Sequence, residues 1–317
     1  MILSLIFFVV GIVLVIYGAD WLTKGASALA RRFKMSELMI GLTIVALGTS
    51  LPELVISVGA ALKGSSGIAL GNVIGSNIFN GLLILGVAAL ITPVHFNARM
   101  LTRELPFNLL ASVVLLLVSG TMLAGGAEGE QITRNGGLLL FCFLAVFIRY
   151  TFSIAADDAD DVQTENVSIV RILLYIAAGL AALIFGGNIF VDGATDIARL
   201  AGMSEAVIGI TIVSVGSSLP ELAVSVSAAR KGNVGIALGN VLGSNILNVF
   251  FILGCSATIK PISLDGFSPV DYYVLLASSL LVYIVARFGG KNVITRIEGF
   301  VLVAAFIAYM TYLILSA

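Results

Sequence analysis

Read for its apolar runs, the chain divides into ten segments near the roughly 20 residues that a bilayer core requires. They cover residues 2–22, 38–62, 68–91, 105–123, 136–154, 169–190, 206–229, 236–259, 272–286 and 297–315. Each is continuous enough to be a helix buried on all sides or facing lipid, and none shows the alternation of a half-buried strand. The pattern predicts an all-α integral membrane protein of ten transmembrane helices. The longest hydrophilic stretch, Asp157 to Asn166, falls between the fifth and sixth segments and carries Asp157, Asp158, Asp160 and Asp161.

The segments repeat. Shifted by 168 positions, residues 41–80 lie on residues 209–248 without a gap and with about seventy per cent identity. Each half then holds five spans. An odd number makes the second half enter the membrane in the opposite sense, the inverted-repeat construction of secondary transporters. The division expected is 1–156 for the first five-helix repeat, 157–168 for an acidic cytoplasmic linker, and 169–317 for the second, inverted repeat.

Composition sharpens the class. The chain of 317 residues is 59% hydrophobic and 11% charged, with mean hydropathy +1.10; a soluble domain carries about 25% charged residues. A net charge of −1 without a basic tract excludes nucleic acid as a partner and leaves the lipid bilayer. Of the 17 basic residues, Lys63, Arg134, Arg199 and Lys260 fall in one set of loops and the remaining 13 in the other. By the positive-inside rule both termini are expected outside the cytoplasm, in a multi-pass cell (inner) membrane protein. Cys142 and Cys255 lie in apolar segments without ligand spacing and read as buried packing thiols. His95 reads as a loop histidine, Asp20 with Trp21 as the end of the first span, and Arg103 with Glu104 as a pair at a span entrance.

Two polar motifs interrupt the apolar segments. Gly48-Thr49-Ser50-Leu51-Pro52-Glu53 recurs as Gly216-Ser217-Ser218-Leu219-Pro220-Glu221. An acid at the centre of a span is disfavoured by roughly 2.5–3.5 kcal/mol, which makes Glu53 and Glu221 site residues by default. Each proline also removes a backbone donor. The second motif, Gly71-Asn72-Val73-Ile74-Gly75-Ser76-Asn77-Ile78-Phe79-Asn80, recurs as Gly239-Asn240-Val241-Leu242-Gly243-Ser244-Asn245-Ile246-Leu247-Asn248. On a helix Ser76 shares a face with Asn80, and Ser244 with Asn248. Short connectors make the acid helix and the amide helix of each half antiparallel neighbours, so that both motifs sit level at mid-membrane. Carboxylates, hydroxyls and amides at one depth suit a hard cation. The motif glycines fit helix packing equally well.

Both motifs, in both halves, resemble the alpha repeats of the sodium/calcium exchanger superfamily, and the resemblance covers the whole ten-span layout. It implies exchange of calcium for sodium by alternating access, with calcium and sodium as transported ions, no cofactor and no catalysis. It also implies a ligand set: Glu53, Thr49 and Ser50 with Glu221, Ser217 and Ser218, then Ser76, Asn80, Ser244 and Asn248, and the carbonyls of Ala46 and Ser214. Some members carry Asp where Asn80 or Asn248 stands; amides at both leave two negative charges and the stoichiometry open. Proton/calcium exchangers of the superfamily flank the acid differently, and Pro52 and Pro220 favour sodium. A calcium/proton exchanger and a cation channel remain as alternatives, and oligomeric state is not fixed. In the movement expected, the first and sixth spans slide across the polar core on Gly11, Gly18, Gly179, Gly186 and Gly187.

Overall fold

A computed structural model describes residues 2–120, 131–157, 167–202, 214–264, 268–289 and 292–316. The first half runs α1 (Ile2–Phe33), α2 (Glu37–Thr49), α3 (Leu51–Lys63), α4 (Gly67–Ile91), α5 (Met100–Val118) and α6 (Arg134–Asp157). The second runs α7 (Ile169–Leu200), α8 (Leu219–Arg230, led in by Ser214–Ser217), α9 (Val234–Ile259), α10 (Pro269–Phe288) and α11 (Arg296–Ser316). Among the described residues 8 helices are long and apolar enough to cross a membrane, or 9 when α2 and α3 count as one bent span. The start of the expected seventh span, 206–213, lies outside the described residues. So does most of the acidic stretch after Asp157, and with it any test of a linker there.

Burial ranks the layers. The apolar windows of α9 and α4 are 94% and 72% buried, whereas those of α1, α7 and α11 are 28%, 22% and 17% buried. The helices carrying the amide motif are therefore the centre of the molecule. Around them Leu70, Ile74, Leu85, Leu242, Phe250 and Leu275 belong to one continuous apolar core.

α1 and α7 form a separate layer and run ten residues or more past the expected spans. No proline follows Trp21 before Lys34, and Gly25 stays helical, so α1 continues until Lys34 turns left-handed at φ 53°. The two helices touch through glycines at every seventh position: Gly11, Gly18 and Gly25 on one, Gly179, Gly186 and Gly193 on the other. A Cβ on Gly11 would meet the backbone of Phe190 at 2.5 Å, one on Gly18 Leu183 at 2.9 Å, and one on Gly193 Phe8 at 2.5 Å. The residue numbers in these pairs rise on one helix as they fall on the other, so α1 and α7 are antiparallel. The seven-residue period keeps one seam in contact along both helices. These glycines pack α1 against α7, and not against the core as expected; Gly187 faces open space.

α2 crosses α9 just as closely, and in parallel. A Cβ on Gly235, Gly239 or Gly243 would fall within 3.0 Å of Leu38 N, Leu38 O or Leu42 O respectively. Two short ribbons close the ends: β1 (Val94–His95) with β4 (Val293–Ile294), and β2 (Gln131–Ile132) with β3 (Ile262–Ser263), both antiparallel.

Several single residues differ from expectation. Cys142 is exposed on α6, and Cys255 only half-buried; in a membrane an apolar thiol can face lipid as well as core. Glu104 is buried and accepts from Tyr150 Oη at 2.7 Å, with no ion pair to Arg103 among the described residues. Asp20 bonds Lys24 at 2.7 Å and also Lys231 from the α8–α9 connector, within a helix that continues past it.

Candidate cation site

The expected continuous span 38–62 is broken. Ser50 leaves helical geometry at φ −84° and ψ 7°, and α2 and α3 meet there at a bend of 48°. Pro52 stands in the first turn of α3, where a missing N–H costs nothing, so it starts a helix rather than kinking one. Ser218 repeats this geometry at φ −94° and ψ 10°, with Pro220 in the first turn of α8. Glu53 and Glu221 thus both stand in the first turn of a helix, where the macrodipole favours a negative charge.

Both acids are inside the protein, Glu53 with 1% and Glu221 with 0% of its surface exposed. Each is held by the other half. Ser50 Oγ donates to Glu221 Oε1 at 3.1 Å, and Ser218 Oγ donates to Glu53 Oε1 at 3.2 Å. Ser218 Oγ also lies 3.0 Å from Ser76 Oγ, which draws the amide helix α4 into the cluster. Asn80 and Asn248 each sit in a π-helical turn, Phe79–Ile84 in α4 and Asn248–Leu253 in α9. Such turns insert one residue and re-aim the side chains around it. The turn bearing Asn80 packs on α8 with Glu221, and the turn bearing Asn248 packs on α3 with Glu53.

Several buried polar atoms of the two motifs are left over. Glu53 Oε2, Glu221 Oε2, both polar atoms of the Asn80 amide, Ser244 Oγ, Asn245 Oδ1 and Asn248 Oδ1 are buried without a hydrogen-bond partner among the described residues. Buried polar atoms are normally satisfied. Six of these atoms are oxygens, two of them carboxylate, the donor type that a hard cation takes.

Other expected ligands also make hydrogen bonds within the protein. Thr49 Oγ1 donates to Asn240 Oδ1 at 3.0 Å, with Ala46 O at 3.3 Å, and Ser217 Oγ donates to Asn72 Oδ1 at 3.3 Å. The Ala46 carbonyl also accepts from Ser50 N at 3.0 Å. Ser214 opens the short helix before the break, and its side chain lies outside the described residues. Asn72, Asn240, Asn77 and Asn245 were not among the expected ligands, although the repeated motif contains all four. Asn248 Nδ2 donates to Asn77 Oδ1 at 2.9 Å, and Asn77 Nδ2 to Asn245 O at 3.1 Å.

Comparison with known proteins agrees with this architecture. The family model described as sodium/calcium exchanger protein matches residues 3–153 and again 171–315. CaxA of Alkalimonas amylolytica, whose antiporter name is provisional, is 37% identical over 326 residues and all of both chains. The inner membrane protein YrbG of Escherichia coli K12 is 37% identical over 89% of this chain and 88% of its own. The sodium/calcium exchanger MaX1 of Methanosarcina acetivorans is 35% identical, with 96% of both chains covered. A solved structure of the sodium-calcium exchanger NCX_Mj, soaked with 10 mM Na+ and zero Ca2+, superposes with TM-score 0.84 and 32% identity, covering 98% of each chain. The chain belongs to the sodium/calcium exchanger protein family: it is an all-α membrane antiporter of that fold.

Proposed function

We propose that the protein exchanges calcium for sodium across the membrane by alternating access, through a site built on Glu53 and Glu221. The observation carrying this reading is the reciprocal clasp, in which each acid is bonded by the other half's serine and keeps one buried oxygen unpartnered. Two carboxylates balance one divalent ion. Two or three monovalent ions take the same oxygens in its place, and competition for the acids couples the two fluxes. Ser76, Asn80, Ser244 and Asn248 complete the ligand set in this reading, with Thr49, Ser50, Ser217 and Ser218 supplying hydroxyls and Ala46 and Ser214 carbonyls.

The reading includes ten spans in two inverted halves, 1–156 and 169–317, joined by a cytoplasmic linker at 157–168. The antiparallel packing of α1 against α7 and the two separate matches to one family model support it. Basic residues at the two ends also segregate as the charge rule requires. Lys260 lies against Gly64, beside Lys63, and Arg134 bonds Ile259 O at 3.5 Å, whereas Lys24 and Lys231 share Asp20 at the opposite end. Both termini then face away from the cytoplasm.

The test is calcium uptake into vesicles with an imposed sodium gradient, an imposed proton gradient, or neither. Uptake driven by sodium alone is expected. Uptake driven by the proton gradient would assign a calcium/proton exchanger, and uptake that needs no counter-ion would assign a channel.

A further inference from the structure

Asn72 and Asn240 hold positions related by the repeat, and each has every hydrogen-bonding atom engaged. Asn240 Nδ2 donates to Glu221 O at 3.1 Å and to Ser225 Oγ at 3.0 Å, while its Oδ1 accepts from Thr49 Oγ1 at 3.0 Å. Asn72 Nδ2 donates to Glu53 O at 3.3 Å and Ser57 Oγ at 3.0 Å, while its Oδ1 accepts from Ser217 Oγ at 3.3 Å. The orientation of both amides is chemically fixed, because a glutamate carbonyl can only accept and must face the NH2 end. Each amide therefore grips the backbone of its own half's acid with one end and a hydroxyl of the other half with the other.

The geometry points to Asn72 and Asn240 as positioning residues that set the polarity of the hydroxyls at the cation site. This inference rests on the exchanger reading and adds to it residues outside the ligand set. A threonine hydroxyl has one hydrogen and two lone pairs. Left to itself inside a helix it turns that hydrogen to a carbonyl one turn back, as Thr43 Oγ1 does to Met39 O at 2.7 Å. At Thr49 the nearest acceptor is the Asn240 amide oxygen, with Ala46 O and the Glu221 carboxylate as its rivals. With its hydrogen committed to Asn240, Thr49 can offer only oxygen lone pairs to a cation. The same amide anchors the Glu221 backbone, so a hydroxyl from α2 and a carboxylate from α8 are set by one rigid group. Asn72 joins Ser217 and the Glu53 backbone in the same way.

Outer partners of metal ligands are worth roughly 10–100-fold in affinity. The experiment is a double-mutant cycle on the purified full-length protein with calcium as probe. Half-saturating calcium is read from the calcium-dependent rise in unfolding temperature, and the calcium-free unfolding temperature reports packing alone. The variants are Thr49→Val, Asn240→Leu and both together; all remove polar atoms at nearly constant volume. Each single change is expected to weaken calcium about 10–100-fold, and the double variant should be no weaker than the worse single by more than about twofold, the scatter of independent sites. Thr49→Ser, which keeps the hydroxyl, should stay within about twofold of wild type. Losses that multiply in the double variant, or an Asn240→Leu protein with unaltered calcium response, would overturn the inference. If Asn240→Leu does not fold, Ser225→Ala loosens the amide without touching a ligand; it should weaken calcium by more than about twofold, and no change overturns the inference. A wild-type protein that shows no calcium response defeats the exchanger reading and this inference together. A wild-type response with multiplying losses defeats this inference alone.

Discussion

Ser218 Oγ reaches across the molecule to Glu53 Oε1 at 3.2 Å, and its repeat mate Ser50 returns the contact to Glu221 at 3.1 Å. The acid of each half is therefore oriented by the broken helix of the other, and a change at either break is felt at both carboxylates.

Neutralising either acid leaves one buried charge against a cation. Glu53→Gln and Glu221→Gln should each lower sodium-driven calcium uptake in vesicles by about 100-fold or more, the equivalent of ~3 kcal/mol for a lost charged contact. Uptake above a tenth of wild type in either variant would remove that carboxylate from the ion path.

Backbone contact between α2 and α9 leaves no space for a side chain. A Cβ at Gly239 would stand 2.5 Å from Leu38 O and 2.7 Å from Gly41 Cα. Gly239→Ala should cost about 1–3 kcal/mol, as overpacking does, visible as a lower unfolding temperature in detergent. Gly59, also helical, has nothing within 4 Å of the same position. Gly59→Ala should instead stabilise by roughly 0.5–1 kcal/mol. Equal effects at the two sites would contradict the packing described.

The glycine seam makes α1 and α7 one body. Phe8 and Phe190 lie on that seam with ring centroids 5.0 Å apart. With Cys142 and Cys255 first replaced by serine, a thiol cross-link between Phe8→Cys and Phe190→Cys should leave exchange intact. Ser27 of α1 and Asn233 of the core connector bond at 2.6 Å. A disulfide between Ser27→Cys and Asn233→Cys ties the pair to the core and should stop exchange until it is reduced. Undiminished flux with that bond closed would rule out movement of α1 against the core.

Lys231 Nζ bonds both the carboxylate and the main-chain carbonyl of Asp20, the latter at 3.2 Å. The side chains are about a third exposed, so the ion pair is worth only about 0.2–1 kcal/mol. Lys231→Gln should raise the rate at which Ser27→Cys is labelled by a soluble thiol reagent, by up to about fivefold at low salt and less at high salt. A labelling rate that ignores both mutation and salt would mean the pair does not hold α1 in place.

The site was more legible in the sequence than the shapes that create it. An acid beside a proline in an apolar run is improbable without a purpose, and its return 168 residues later marks both halves of one cluster. Hydropathy, however, measures only how much of a helix is greasy. It placed the end of α1 near Leu22, where the first charges appear, but charges on a helix that leaves the bilayer do not end it. Nor does apolar patterning register a break at Ser50 or a π-helical turn at Asn80, since hydropathy reports polarity and not the path of the backbone. Asn72 and Asn240 were visible as repeated amides. Their straps to Thr49 and Ser217 depend on which helices cross, and one half's sequence does not record the other half's position.

The Asp20–Lys231 contact has no mirror image. The positions equivalent to Asp20, Lys24 and Lys231 hold Asn188, Asp192 and Lys63, so the opposite end of the molecule cannot build the same fastening from the same charges. Two halves that share their motifs thus clasp their acids evenly while gripping the outer helix pair unevenly. The unevenness of that fastening resides in a connector, away from the clasped acids.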